Sequence, residues 1–336
     1  MNDSSTDERS MLETQVYERL AIARDDLTPA LPAKIAIEIN NSCNHKCFFC
    51  PNPTMDRTRS VMEEKLLYRI MEDARSNGIK ELSFYSTGEP FLNRKLPDYV
   101  RYAKEIGFDY VFLSSNGGKA VSKRILPVLE AGLDSLKFSI NAGDRETYAK
   151  VHGHDEFEDV VRNLELVSEY RKRTGSPKSL FVSFVVTEMS EPTFDRLQER
   201  IGDLVDEIGR YPFMVLGTPL RRRVESDGTE RPFVGYEDVK PNEDVEARLE
   251  LPCFQLWSYL NVTLEGYLTA CCSDFNNDLV VGNLQKNSLI DAWHSPEFRE
   301  LRAQHIRKEV AGTMCESCIM QRNIPYETIN PHLHTG

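Results

Sequence analysis

The chain is short of positive charge. Its 41 Lys and Arg are outnumbered by 53 Asp and Glu, for a net charge of −12. A nucleic-acid backbone is gripped by clustered Lys and Arg, so nucleic-acid binding is not expected. Long apolar runs are missing as well. No stretch of about 18 apolar residues occurs, so no membrane-spanning helix is expected. The opening MNDSSTDERSMLETQ has no apolar segment behind a positive one and does not read as a secretory signal. There is no internal repeat and no low-complexity tract. These absences point to the cytoplasm, where thiols stay reduced. Cysteine is also scarce, at eight in 336 residues. In that compartment the few present read as metal ligands or reactive thiols rather than disulfides.

What is present is a regular alternation. Strands are expected at 33–40, 80–86, 109–115, 134–141, 179–187 and 211–218, and helices at 62–78, 96–107, 119–132, 155–175 and 191–209. Strands separated by helices pair in parallel through right-handed crossovers, in an open sheet or a barrel. Residues 219–252 are charged, carry Pro and Gly and show no period, as a linker or long loop does. Beyond them YLNVTLEGYLTACC reads as a hairpin turning at Glu265-Gly266. The stretch 287–309 reads as helical, with Ser288 as its N-cap.

Three cysteines, Cys43, Cys47 and Cys50, fall within NNSCNHKCFFCPNP. Zinc takes four ligands, and His45, inside so short a loop, cannot converge with all of them on one ion. A [4Fe–4S] cluster on three cysteines keeps one iron open for a small molecule. The spacing Cys43-x3-Cys47-x2-Cys50, with Phe49 before the last cysteine, resembles the signature of the radical S-adenosylmethionine (SAM) superfamily. STGEP (86–90) resembles that family's Gly-Gly-Glu-Pro motif, with Thr87 in place of the first glycine. SSNGG (114–118) follows the third strand, and SINAGDRETYAKVHG (139–153) resembles the family's ribose-contacting segment.

The resemblance implies a partial (β/α)6 barrel of TIM type over 33–218, after an N-terminal extension at 1–32. It implies that Cys43, Cys47 and Cys50 bind a [4Fe–4S] cluster whose open iron is chelated by SAM. Gly88 and Glu89 would meet the methionine amino group, and Ser139 and Asn141 the ribose. The chemistry implied is reductive cleavage of SAM to a 5′-deoxyadenosyl radical, fed by an external one-electron donor such as flavodoxin or ferredoxin.

Strand parity adds a reading of its own. Leu136, Phe138 and Ile140 share one face of the fourth strand, and Lys137, Ser139 and Asn141 the other. A parallel sheet covered on both faces is apolar on both, so one polar face implies a lined cavity inside a barrel. Glu38, Tyr85, Lys137 and Ser183 are candidate contacts to substrate or SAM, with Glu38 and Lys137 as candidate proton-handling groups. The equal alternative is that they bond each other or water in the lumen.

The other five cysteines are Cys253, Cys271, Cys272, Cys315 and Cys318. Taken alone, Cys315-x2-Cys318 suits zinc or a cluster. The order Cys253, Gly266-x4-Cys271, Cys315-x2-Cys318 resembles an abbreviated SPASM, or twitch, domain. That implies a small α+β domain at 253–321, before a tail at 322–336, with Cys253, Cys271, Cys315 and Cys318 on one auxiliary [4Fe–4S] cluster. Cys272 is left over. It is a structural thiol, a hydrogen-atom donor to a substrate radical, or the ligand in place of its neighbour Cys271. If Cys271 faces the cluster, strand alternation turns Cys272 away. His152 and His154 are expected in a polar loop near SAM, and Trp257 and Trp293 in packing.

Together these readings point to oxidation or epimerisation of a polar small molecule such as a sugar or aminocyclitol. The alternative is modification of a ribosomally made peptide by thioether formation or epimerisation. A cluster-bearing redox sensor is the non-enzymatic reading, and it has no need of loops suited to SAM.

Overall fold

The computed structural model describes residues 11, 12, 14, 22–214, 223–224, 230–231, 251–320 and 327–329, with backbone alone at 223–224 and 230–231. The expected linker at 219–252 and tail at 322–336 lie mostly outside them. Within the linker, a short antiparallel ladder pairs Arg223–Val224 with Glu230–Arg231.

Six strands form the core: β1 Lys34–Ile37, β2 Glu81–Ser83, β3 Tyr110–Ser115, β4 Ser135–Ser139, β5 Ser179–Val186 and β6 Glu207–Pro212. They pair in parallel in sequence order. Helices α1 Glu64–Ser76, α2 Leu96–Glu105, α3 Ser122–Glu130, α4 Arg145–His152, α5 Phe157–Thr174 and α6 Phe194–Ile201 connect them. In α1, Leu66, Leu67, Ile70, Met71 and Ala74 are buried, the one-sided pattern of a helix laid on a sheet. The strands meet those helices through Ile35, Ile37, Leu82, Phe84, Leu136 and Phe138, all buried. The result is α/β, a partial barrel whose helix-facing side is apolar.

The C-terminal segment continues the same sheet. Its strands β7 Leu260–Val262, β8 Tyr267–Thr269 and β9 Val280–Asn283 extend the edge beyond β1. β7 runs parallel to β1, with Ile35 opposite Leu260 and Ile37 opposite Val262. β7 and β8 form the expected hairpin, and Gly266 takes the positive φ of 82° that its turn requires. Short helices follow: α7 Gln255–Ser258 before the hairpin, then α8 Leu289–Trp293, α9 Pro296–Arg307 and α10 Met314–Met320. Arg302 is fully buried between Trp293 and Phe298, its guanidinium carbon 4.2 and 3.8 Å from their ring centres. The indoles of Trp257 and Trp293 donate to the carbonyls of Asp26 and Pro29 and so tie down the N-terminal segment.

Several boundaries differ from expectation: β1 and β2 end early, at Ile37 and Ser83, and α4 stands inside the segment 139–153. The last core helix stops at Ile201 and β6 begins at Glu207. Asp206 causes this: its N–H donates to the Leu180 carbonyl, and its carboxylate accepts from the Leu180 N–H, drawing the chain into the ladder. The stretch 287–309 is two helices, because Ser295 caps a second start at the Phe298 N–H with Pro296 in its first turn. Ser288 caps the first of them, as expected. Among the described residues no helix is long and apolar enough to cross a membrane.

Candidate functional site

The loop after β1 is shaped by asparagines. Asn41 donates to the Thr58 carbonyl at 2.9 Å and accepts from the Ser60 N–H at 2.9 Å, closing the base of the cysteine loop. Asn52 donates to the carbonyls of Asn41 and Thr87 at 2.9 and 2.6 Å. Arg59 donates to the Asn41 and Asn52 carbonyls. On the far side, the N–H groups of Lys46 and Phe48 donate to the His152 and Val151 carbonyls. Segment 139–153 therefore lies against the cysteine loop, as the motif order suggested.

Cys43, Cys47 and Cys50 are brought together. Burial raises all three thiol pKa values, Cys43 to about 12, Cys50 to about 11 and Cys47 well above its ordinary value. The charges of Cys43 and Cys50 add to the rise at Cys47. Three half-buried thiols close enough for their charges to interact lose their protons only beside positive charge, which iron supplies, so this donor set fits a cluster. A cavity of about 250 Å³ opens beside Cys43, bordered by Ser42, His45, Lys46, Asn52, Pro53 and Arg59.

Behind Cys47 stands a stack of rings that the residue pattern did not reveal. Tyr148 stacks on His152 at 4.2 Å, and His45 stacks on His154 at 5.4 Å. His152 is anchored to the Ile140 carbonyl at 2.6 Å and faces the Cys47 sulfur at 3.2 Å. Burial pushes its pKa down to about 3, which leaves the imidazole neutral. The ligand atoms of His45, Cys47 and His152 lie within 4.8 Å of one another. The Ile140 carbonyl takes the Nε2 proton of His152, so Nδ1 presents its lone pair toward Cys47 and can accept from that thiol.

The STGEP loop packs directly on the cysteine loop. The Glu89 N–H donates to the Ser42 carbonyl at 2.9 Å. A β-carbon on Gly88 would sit 2.5 Å from the Asn40 carbonyl oxygen, so only glycine permits this approach. The Glu89 carboxylate is buried and accepts from the Phe91 N–H, the Ser115 hydroxyl and the Asn116 N–H. Burial lifts its pKa to about 7 against those donors. Glu89 thus locks STGEP to SSNGG, with its oxygens engaged by the protein.

The inner face of the barrel is polar, as parity predicted. Ser139 lies 3.4 Å from the Ser114 hydroxyl and 3.2 Å from the Ser183 hydroxyl, a three-serine layer across the C-terminal ends of β3 and β4 and the middle of β5. Asn141 has a positive φ of 54°, and its side-chain oxygen accepts from the Val185 N–H at 2.8 Å, so that oxygen ties the loop to β5. Lys137 lines a deeper cavity of about 160 Å³ with Tyr85, Phe112 and Tyr211, its ammonium 5.7 Å from the Tyr211 ring centre. Glu38 departs from its expected role. It is buried in an ion pair with Arg57, accepts from the Thr87 hydroxyl, and accepts from the Leu264 N–H at 3.0 Å. A carboxylate so occupied is a structural anchor, which corrects its reading as a proton-handling group.

The second set of thiols converges from three directions: Cys253 ahead of α7, Cys271 just past β8, and Cys315 and Cys318 on α10. Burial raises the pKa of Cys253, Cys315 and Cys318, the last to about 12, and the charge of Cys253 adds to the rise at both of the others. The chemistry of this donor set also fits a cluster. Cys272 is exposed where Cys271 is half-buried, yet it stays near enough to raise the pKa of Cys271 by hydrogen bonding and charge, and those of Cys253 and Cys318 by charge. The strand ends at Thr269, so the alternation that would separate two neighbours no longer applies.

Comparison with known proteins follows this division. The Radical SAM superfamily matches residues 37–208, and the iron-sulfur cluster-binding domain called SPASM matches residues 253–319. A probable GTP 3′,8-cyclase of Saccharolobus solfataricus is 30% identical over 132 residues, which is 39% of this chain and 42% of that protein. The GTP 3′,8-cyclase of Chlorobaculum tepidum is 30% identical over 39% of each. The match thus spans about two fifths of those relatives. Among solved structures, BtrN in complex with AdoMet and 2-DOIA superposes with a TM-score of 0.56 at 17% identity, covering 90% of this chain and 97% of that one. Streptococcus suis SuiB bound to precursor peptide SuiA gives 0.61 at 14% identity, covering 86% of this chain and 69% of that one.

Proposed function

The chain belongs to the radical SAM superfamily and carries a SPASM-type cluster domain, and on that premise we propose that it oxidises or epimerises a polar small molecule of the sugar or aminocyclitol kind. In this reading Cys43, Cys47 and Cys50 hold the SAM-binding [4Fe–4S] cluster, and Cys253, Cys271, Cys315 and Cys318 the auxiliary one. When bound, cluster and SAM supply a 5′-deoxyadenosyl radical that takes a hydrogen atom from substrate. An external one-electron donor of the flavodoxin or ferredoxin kind feeds the first cluster.

The observation that carries the substrate class is unspent polarity on the inner face. Ser83 and Asn261 are both buried, and each stands opposite Ala36 in the sheet. The Ser83 hydroxyl and both polar atoms of the Asn261 side chain have no hydrogen-bond partner among the described residues. Buried polar atoms are nearly always paired. A hydroxyl-rich molecule seated beside the small Ala36 side chain would pair them. Gly88 and the framework set by Glu89 place the methionine end of SAM, while Ser139 and Asn141 lie on the ribose side. The Lys137 ammonium donates to a substrate oxygen from below.

The test is anaerobic reconstitution followed by reductant and SAM. Formation of 5′-deoxyadenosine is expected, and none from fully loaded protein would end the enzyme reading. With candidate polyols, loss of two hydrogens marks oxidation, and unchanged mass in H2O with one deuterium gained on carbon in D2O marks epimerisation. The fit to SuiB favours peptide modification as a second reading, although nearly a third of that chain has no counterpart here. Turnover of a precursor peptide, with polyols inert, would select it.

A further inference from the structure

Between the two sets of cysteines lies one guanidinium that holds both sides. Arg57 belongs to the stretch leaving the first cysteine loop, and Glu265 sits at the hairpin turn leading to Cys271. Arg57 Nε donates to Glu265 Oε1 at 3.1 Å and Nη2 to Oε2 at 2.7 Å. Its Nη1 donates to Glu38 Oε1 at 3.3 Å, and Nη2 also donates to Glu38 Oε2. The Arg57 and Glu38 side chains are 5% and 0% exposed, so this pairing is shielded from solvent. Neighbouring bonds also cross: the Asp56 N–H donates to Asn276 Oδ1 at 2.9 Å and Arg57 Nη1 to the Phe275 carbonyl at 3.5 Å, while Asn277 Nδ2, on the auxiliary side, steadies Glu265 Oε2 at 3.3 Å.

We propose that Arg57 is a positioning residue that couples the two iron–sulfur sites, gripping Glu38 and Glu265 at once so that the auxiliary side sets the geometry of the SAM side. This rests on the reading that both cysteine sets hold clusters. Glu38 carries the coupling onward. It receives the hydroxyl of Thr87, the residue that stands where the family motif has glycine, and Thr87 adjoins the Gly88 that packs on the cysteine loop. A guanidinium serves two carboxylates in a planar fork, whereas an ammonium is a point charge and cannot. Burial works against the charge on Arg57, yet the two carboxylates hold its pKa above the ordinary value. When one carboxylate is neutralised, the guanidinium is drawn to the other, and the Glu38–Thr87 contact shifts with it.

The experiment uses the reconstituted full chain and SAM itself as the probe, by equilibrium binding to the oxidised protein. Glu265→Gln keeps the side-chain shape on the auxiliary side; Arg57→Lys keeps charge without the fork. With iron content equal to the parent, each is expected to weaken SAM binding by about 5-fold or more, a usual size for coupling between sites. The double variant is expected to be no weaker than the weaker single, because both remove one interaction. An unchanged SAM affinity in Glu265→Gln, or effects that multiply, would overturn the proposal. If a variant loads iron poorly, hydrogen exchange on the cofactor-free chain decides. Faster exchange over 41–60 in Glu265→Gln supports the coupling, and equal exchange refutes it. A parent that loads about four irons instead of about eight would sink the two-cluster reading, while the coupling would still be judged by the affinities.

Discussion

The two cysteine sites are built by opposite means. The first takes Cys43, Cys47 and Cys50 from one short loop, and the protein's work is to brace that loop with Asn41, Asn52 and Arg59. The second gathers Cys253, Cys271, Cys315 and Cys318 from the start of a helix, the end of a strand and a distant helix. A local site depends on spacing. A dispersed one depends on every element between its ligands. The difference teaches where each is fragile, and variants can break the comparison in turn.

The largest effect is expected at the local site. Cys47→Ala should lower 5′-deoxyadenosine formation by about 10³-fold or more, since the open iron is lost. Cys315→Ala should also remove about four of eight irons yet leave SAM cleavage standing; iron analysis beside product assay checks both. Next comes the link between the sites. Arg57→Met leaves Glu38 buried and unpaired, with an expected loss of about 3–5 kcal/mol in denaturant unfolding.

Each site also holds one buried carboxyl whose pKa is raised by burial, Glu89 to about 7 and Asp274 to about 6. Their folded pKa values exceed the ordinary ones of 4.5 and 3.8, so the folded chain binds more protons there. The stability contribution is full below the ordinary value and is lost as pH rises through the folded one. Midpoints of the cofactor-free chain should therefore fall with rising pH, by about 5 °C in all. Glu89→Gln should flatten the fall between pH 4.5 and 7, and Asp274→Asn between 3.8 and 6. The smallest effect is expected from Cys272→Ala, which should keep about eight irons. Loss of four would make Cys272 a ligand in place of Cys271.

Much of this was legible in the chain itself. The motif loops could be read because their chemistry is local and their order follows strands whose period is plain. The polar inner face could be read because side chains alternate along a strand. Glu38 shows the limit of that reading. Parity puts it on the inner face but says nothing of Arg57, which lies in a stretch without period, or of the Leu264 N–H, which arrives from the far end of the chain. Cys272 shows another limit, since alternation fails once the strand has ended at Thr269.

The sequence by itself determined the family, the three-thiol loop, the parallel α/β core and the presence of a second set of cysteines in a SPASM-type segment. All of these follow from spacing and period along the chain. Only the tertiary structure decided that the C-terminal hairpin adds to the edge of β1, that Cys272 stays near the other thiols, and that Glu38 is held by an ion pair. The physical reason is burial. A carboxylate or thiol takes its role from the groups that replace water around it, and those groups come from parts of the chain that meet only on folding.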